Sequence, residues 1–161
     1  MTVQFVAQSP ADLPSRDTIL SMSGLEYMRG ILNGQMAGAP IAGPMSFYLH
    51  SVDEGRVAFR GTPGFEHLNP MGAVHGGWYG TLLDSALGCA VATTLPRGRW
   101  YTTLEYKVNI TRGLTPGTLV EAEARVTHTG RSTGVAEGWL RGVEDGKLYA
   151  TGSTTCIIMQ A

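Results

Sequence analysis

The stretch that decides the fold is HGGWYGTLLDSALGCAVATTL, which runs from residue 75 to residue 95. It contains no proline before Pro96 and keeps apolar residues three or four positions apart, so it predicts one long helix from Gly76 to Thr94. The apolar positions form a continuous stripe, which consists of Tyr79, Leu82, Leu83, Ala86, Leu87, Ala90 and Val91. Such a stripe is typical of a helix that packs against a broad apolar surface.

A second stripe on the same helix consists of small residues around one acid. Its members are spaced by four and are Gly76, Gly80, Asp84 and Gly88. Because a glycine inside a helix costs about 1 kcal/mol relative to alanine, this pattern predicts the close approach of another backbone or a ligand. A carboxylate on such a face is costly unless it is paired, hydrogen-bonded or functional. Asp84 is therefore either a hydrogen-bonded structural acid or a catalytic base or nucleophile.

The remaining segments predict a sheet that offers a surface for this helix. A short helix over residues 23–32 is followed by strands at 45–52 and 56–61. From Arg99 onward apolar and polar residues alternate, with turns at residues 115–117, 130–131 and 145–146. Four consecutive strands linked by hairpins imply an antiparallel sheet. The predicted class is therefore α+β, an antiparallel sheet wrapped around one long central helix.

Length and composition favour one globular domain. The 161 residues predict a loose N-terminal arm at 1–22, which contains two prolines, and a single domain at 23–161. With 12 basic and 13 acidic residues, the net charge of -1 provides no basic field for nucleic acid or membrane surfaces. Neither a signal peptide nor an apolar run of about 18 residues is evident, so we expect a cytoplasmic protein. Cys89 and Cys156 lack metal-ligand spacing and are interpreted as buried thiols.

The start of the long helix, His75-Gly76-Gly77, is either an ordinary helix cap or a binding site for a carbonyl oxygen. The first N–H groups of a helix have no partners within it, and the helix dipole favours negative charge there. His75 and Asp84 are nine residues apart, which places them on opposite helix faces and about 13 Å apart along the axis. One chain cannot bring both residues to one substrate. Two helices packed around a two-fold axis can, with the glycine stripe allowing their approach.

These residues, in this order, resemble the hotdog-fold acyl-CoA thioesterases, specifically the phenylacetate-degradation (PaaI-like) branch. The most specific element is Asn69, five intervening residues, His75-Gly76-Gly77, six further residues and then Asp84. The strand that contains residues 103–108 and the turns at 130–132 and 145–146 are also similar to that family. The resemblance extends over residues 24–159, which is nearly the whole chain.

The resemblance implies a hydrolase that cleaves an acyl-CoA thioester to free acid and coenzyme A. Asp84 corresponds to the family's helix carboxylate, a nucleophile or a base on water, and the Gly76 N–H to the donor that polarises the thioester carbonyl. Asn69 is implied to position the water or thioester, His75 to support its loop and contact the substrate, and Thr103 to orient the water or the carboxylate. In the implied arrangement, Asn69, His75 and Gly76 face the Asp84 and Thr103 of the other subunit.

The resemblance also implies the surroundings of the site. Substrate contacts are expected from Gly77 and from the turn formed by Gly130, Arg131 and Ser132. A homodimer with a continuous sheet, assembling into a homotetramer, is the expected state. No metal and no cofactor are expected, since coenzyme A is part of the substrate.

Three questions stay open from the residues alone. Strand alternation places Thr103 with Glu105 and Lys107, whereas Thr102 shares the apolar face, so either a bulge is present or Thr102 faces the site. A non-catalytic acyl-CoA-binding sensor is the alternative function, although a binder gains nothing from an acid beside a thioester. A hydratase on the same fold would need an acid followed closely by a histidine, for which Glu66-His67 is the nearest match.

The identity of the acyl group, aryl or medium-chain, also stays open. Its cavity is expected to involve Met45, Phe47, Phe65 and Met71.

Overall fold

A computed structural model of the protein describes residues 4–160. The helices are α1 (Arg16–Leu20), α2 (Gly24–Leu32) and α3 (Gly76–Ala92). The strands are β1 (Phe47–Asp53), β2 (Arg56–Gly61), β3 (Arg99–Ile110), β4 (Val120–Thr129), β5 (Thr133–Gly142) and β6 (Leu148–Gln160). Between residues 4 and 160, no helix is both long and apolar enough to cross a membrane.

The six strands form one antiparallel sheet that wraps around α3, which confirms the predicted α+β architecture. The stripe from Tyr79 to Val91 lies in the core, and each of its seven side chains is at most 2% exposed. His75 caps the helix at its start, and Thr93 is the C-cap residue, one position before the predicted end. Burial of a continuous apolar stripe against the sheet is the main stabilising contribution to such a fold.

The order of strands in the sheet is β1-β2-β4-β5-β6-β3, so one predicted hairpin is wrong. The segment around Thr115-Pro116-Gly117 does not join two neighbouring strands, because β3 pairs with β6 and β4 lies between β2 and β5. Leu114 explains the crossover: its side chain is buried, and its N–H donates to the Tyr79 hydroxyl at 2.7 Å. The connection is thereby anchored to α3 and crosses to the middle of the sheet.

Close approach along the glycine stripe is confirmed, but β3 of the same chain makes it. A Cβ on Gly80 would lie 3.3 Å from the Tyr106 ring, and one on Gly88 would lie 3.0 Å from the Tyr101 ring. The predicted approach of a second helix along this stripe is therefore wrong, since the aromatic rings of β3 already fill the space. Exposed apolar residues also lie on β3 itself, which is an edge strand.

A β-bulge in β3 decides between the two threonines. Its register with β6 shifts between Thr103 and Glu105, so that Leu104 is the extra residue and is 59% exposed. Thr103 pairs with the buried Cys156 and faces α3, whereas Thr102 is exposed. The bulge breaks the alternation that placed Thr103 with Glu105 on one face.

The N-terminal arm packs on the domain, whereas the sequence predicts a loose segment; its residues 1–3 lie outside the described part. The N–H of Gly38 donates to the carbonyl of Phe5 at 2.8 Å, and the N–H of Ala7 donates to the carbonyl of Gly38 at 3.1 Å. The Gln4 side chain donates to the Leu49 carbonyl at 2.6 Å. Local periodicity does not show such an arm, because tertiary hydrogen bonds and contacts hold it in place.

Candidate active site

Asp84 lies in the middle of α3, half-buried, with its carboxylate facing β3. The Thr103 hydroxyl donates to its Oδ1 at 3.1 Å. Burial raises the pKa of Asp84 above its ordinary value, and the hydrogen bond from Thr103 offsets part of that rise. A carboxylate with a raised pKa is a stronger base than an exposed aspartate, and the bulge that orients Thr103 holds it in a defined position.

Asp84 borders a cavity of about 280 Å³ that is otherwise largely apolar. The cavity lies between β1 and β3, the two edge strands of the sheet, with α2 and the arm on its outer side. We call it the acyl cavity, and its apolar wall includes Met28, Ile31, Phe47, Leu49 and Phe59. Buried apolar walls with a single carboxylate are suited to an apolar group attached to one reactive bond.

Two of the four residues expected at this cavity are highly exposed on the surface. Phe47 does form part of its wall, whereas Phe65 and Met71 are 87% and 90% exposed. Met45 is not among the lining residues, and its carbonyl accepts from the Trp78 indole N–H at 2.9 Å. The sequence could not distinguish these positions, because loop residues carry no periodicity that reports their direction.

The lining residues of the acyl cavity that sequence reasoning missed include Ser85, Cys89 and Tyr101. Burial raises the pKa of the Cys89 thiol to about 12, which favours its protonated and less reactive form. Ser85 donates its hydroxyl to the Thr81 carbonyl at 2.9 Å, a bond within the helix. Ser85 and Cys89 are four positions apart on α3, a spacing that could have marked them as neighbours of each other on one helix face.

The His75-Gly76-Gly77 segment forms the N-terminus of α3 and is exposed. His75 Nδ1 accepts the N–H of Gly77 at 2.9 Å, which fixes the proton of the neutral ring on Nε2. Gly77 therefore uses its amide in the cap, and any contact it makes with substrate is through its open Cα. The Gly76 N–H is at the first position of the helix, where it has no partner within the helix and can bind a carbonyl oxygen.

Asn69 holds the loop that leads into α3. Its Oδ1 accepts the N–H groups of Met71 at 2.9 Å and Ala73 at 3.2 Å. Because the side-chain oxygen has these partners, its NH₂ group is the part free to donate outward.

His67 has a structural role. Its Nδ1 accepts the N–H of Gly64 at 2.8 Å, and its Nε2 lies 2.7 Å from the Pro44 carbonyl, to which it donates. The ring is buried, and both nitrogens are engaged with the backbone. A ring held in this way cannot act as the base of a hydratase, which removes the support for that alternative.

The predicted site residues fall into two groups in one chain. Asp84 and Thr103 form one group, whereas Asn69, His75 and Gly76 form the other at the start of α3. Gly76 and Asp84 are eight residues apart, which is about 12 Å along the helix axis. A carbonyl that is about 3 Å from both an oxyanion donor and a base requires the two to be within about 6 Å. One chain does not bring the two groups together.

The Gly130-Arg131-Ser132 turn lies at the opposite end of α3 from Gly77. A Cβ on Gly134, just after the turn, would contact Val91, which lies near the C-terminus of the helix. The backbone of the turn is engaged: the Ser132 carbonyl accepts from the Ile158 N–H and the Arg131 carbonyl from the Arg99 guanidinium. The Arg131 side chain is exposed and can bind an anion.

Comparison with known proteins shows the family. The sequence model of the Thioesterase superfamily matches residues 71–149. A Caenorhabditis elegans protein named as a candidate esterase is 31% identical over 90 residues, which is 56% of this chain and 53% of that protein. The chain thus spans about half the length of this curated relative.

Solved structures extend the similarity over most of the chain. A candidate thioesterase of Ralstonia eutropha, described as related to phenylacetic acid degradation, is 31% identical with a TM-score of 0.74. The match covers 81% of this chain and 98% of that one. A variant of the phenylacetic acid degradation protein PaaI from Thermus thermophilus is 26% identical, with a TM-score of 0.67 and coverage of 73% and 97%.

The chain therefore belongs to the thioesterase superfamily, a family of thioester hydrolases, and within it to the PaaI-like branch with the hotdog fold.

Proposed function

We propose that the protein hydrolyses acyl-CoA thioesters to a free acid and coenzyme A, at a site shared between two subunits. The observation that carries this proposal is the Asp84 carboxylate, held by Thr103 at 3.1 Å beside the apolar acyl cavity. The cavity accepts the acyl group, and the carboxylate lies beside the bond to be cleaved.

Two routes use Asp84 in this position. As a base, it takes a proton from a water molecule that attacks the thioester carbonyl carbon, and the C–S bond then breaks to release the coenzyme A thiolate. As a nucleophile, it forms a mixed anhydride and releases the thiolate, after which water hydrolyses the anhydride. In both routes negative charge develops on the carbonyl oxygen, for which the Gly76 N–H is the donor.

The Arg131 side chain supports coenzyme A as the thiol. It is exposed on the turn near the C-terminus of α3, and a guanidinium suits the phosphates of coenzyme A.

The exposed edge of β3 supports the shared site. Leu104, Tyr106 and Ile110 are 59%, 47% and 48% exposed on this edge strand, which pairs with β6 on one side only. A long apolar edge is a hazard for aggregation unless another chain covers it. Two copies of β3 paired around a two-fold axis would cover both edges and join the sheets. The further assembly of two such dimers into a homotetramer stays a prediction.

Leu104→Arg is expected to give a monomer with little activity, because the charge lies in the proposed contact between edge strands. Light scattering should show the mass of a single chain, while circular dichroism stays unchanged, and thiol release from acyl-CoA should fall at least ~100-fold. Val143→Arg is the matched control, since Val143 is an exposed apolar residue in the turn before β6. An active monomer, in the variant or the wild type, would contradict the shared site.

Thr103→Val is expected to move the acid limb of the kcat/KM profile to higher pH. The Thr103 hydroxyl stabilises the charged form of Asp84, so its removal raises the pKa of Asp84 further above the ordinary aspartate value. Because both routes need the carboxylate, activity falls as the pH drops through that pKa. Thr102→Val, on the exposed face, is the control and should keep the wild-type profile. If the acid limb of the Thr103 variant does not shift, the titration of Asp84 is not its cause.

Thiol release from purified protein with acyl-CoA substrates tests the proposed function directly. Tight acyl-CoA binding without hydrolysis would favour the sensor instead.

A further inference from the structure

A second apolar cavity of about 360 Å³ lies beside the acyl cavity, and the proposed reaction does not explain it. We call it the outer groove. It lies between the arm, the C-terminal half of α3 and the start of β3. Residues that line only this groove include Leu13, Ile19, Met22, Ala92, Leu95 and Trp100.

The two cavities are adjacent. Five residues line both of them and form a waist between them: Met28, Ile31, Ala39, Cys89 and Tyr101. Along α3 the lining passes from Asp84 in the acyl cavity to Ala92 in the outer groove, which is about 12 Å of helix. A straight apolar chain that starts at a thioester beside Asp84 and follows α3 would reach the outer groove at this waist.

The N-terminal arm forms a wall of both cavities. Residues 4–6 border the acyl cavity, and Leu13, Ile19 and Met22 border the outer groove. The arm is fixed at its far end as well, because the Gly98 N–H donates to the Leu20 carbonyl at 2.9 Å. Because the segment is held at both ends, it forms a fixed wall of the cavities, and its apolar side chains line the groove.

Volume decides between a compact and an extended acyl group. An apolar cavity of about 150 Å³ is enough to hold benzene. The acyl cavity alone, at about 280 Å³, is nearly twice that size, and the outer groove adds further space. A phenylacetyl group would fill the first cavity only in part and would leave the second unused.

We infer that the acyl cavity and the outer groove form one channel for a straight, extended acyl chain, and that the arm is the wall that sets the accepted chain length. This inference rests on the proposed hydrolysis of thioesters and adds the class of acyl group. Each methylene that enters the channel should raise kcat/KM about fourfold until the channel is full.

The substrate test compares butanoyl-, octanoyl-, dodecanoyl- and phenylacetyl-CoA. Wild-type kcat/KM should rise with chain length, and phenylacetyl-CoA should be a poorer substrate than octanoyl-CoA. Ile19→Trp, which fills the outer groove, should lower the ratio of dodecanoyl to butanoyl kcat/KM by about sixteenfold, equivalent to two excluded methylenes. Asp17→Trp on the same helix is the matched control, because Asp17 is exposed and lines neither cavity.

A binding test separates the channel from the reaction. Calorimetry with hexan-1-ol and decan-1-ol uses neutral probes that need no hydrolysis. The wild type should bind decan-1-ol more tightly than hexan-1-ol, whereas Ile19→Trp should show no such preference. If decan-1-ol binds more tightly than hexan-1-ol but no thioester is hydrolysed, the channel is supported and the proposed function is overturned. Hydrolysis without any preference for long chains, or a folded Ile19→Trp with the wild-type preference, would overturn the channel. If circular dichroism shows that Ile19→Trp is unfolded, Leu13→Trp at a 46% exposed position replaces it.

Discussion

Asp84→Asn is expected to lower kcat for acyl-CoA hydrolysis at least ~100-fold while the protein stays folded and oligomeric. The amide keeps an oxygen that can accept from Thr103, but it can neither take a proton from water nor form an anhydride. Asp84→Ala should have the same effect. Asp53→Asn, at an exposed aspartate at the end of β1, is the control and should keep the wild-type rate.

The stability of Asp84→Asn provides a second readout, because the substitution should lower activity without lowering Tm. Since burial raises the pKa of Asp84 in the folded state, its carboxylate is less stable there than in the unfolded chain. The contribution of Asp84 to folding is thus lost as the pH rises from its unfolded pKa through the higher folded pKa. At neutral pH the uncharged amide should therefore leave Tm equal to or above that of the wild type. Activity within a few-fold of the wild type would exclude Asp84 from the mechanism, and a large fall in Tm would give it a structural role.

Mixing two inactive variants should restore about a quarter of the wild-type activity. Asp84→Ala removes the acid, and Asn69→Ala removes the amide donor, whose loss should cost about 2.7–4 kcal/mol of transition-state stabilisation. If sites are shared, a heterodimer places both lesions in one site and leaves the other intact. Random reassociation makes half of the dimers heterodimers, each with one working site of two, which gives the expected quarter.

Asn69→Asp is a better partner in this experiment than Asn69→Ala, because the alanine also removes the hydrogen bonds that hold the loop. The carboxylate keeps an acceptor for the N–H groups of Met71 and Ala73, while the NH₂ donor is lost. Subunit exchange is measured separately by mass spectrometry of the mixture. No recovery despite demonstrated exchange would place each site within one chain, and the separation of about 12 Å between Gly76 and Asp84 would then need another explanation.

Most of the fold follows from features that the sequence carries locally. The apolar stripe of α3, the cap at Ser23 and the Asp145-Gly146 turn each depend on neighbours a few residues away, and the structure has all three elements where they were predicted. The crossover after β3 could not be predicted in the same way. It depends on the burial of Leu114 against Tyr79, a contact between residues 35 positions apart.

In the candidate site too, some features follow from the local sequence and others depend on contacts between distant segments. The pairing of acid and helix N-terminus on α3 follows from spacing, but the partner of Asp84 depends on the bulge at Leu104. A bulge is a property of two strands together, so the alternation of β3 alone points to Thr102. The acyl cavity is formed by segments from the arm, α2, β1 and β3, and its walls become visible only when these segments are brought together.

The glycine–tyrosine contacts between α3 and β3 bear on how this site can change during evolution. Gly88 is small because Tyr101 is large, and Gly80 stands in the same relation to Tyr106. A methyl group at position 88 would meet the Tyr101 ring at 3.0 Å, so the two positions should covary among relatives, with a larger residue on one side tolerated only with a smaller one on the other. Because Tyr101 also lines the acyl cavity, such a paired exchange would reshape the space for substrate while leaving the acid at position 84 untouched.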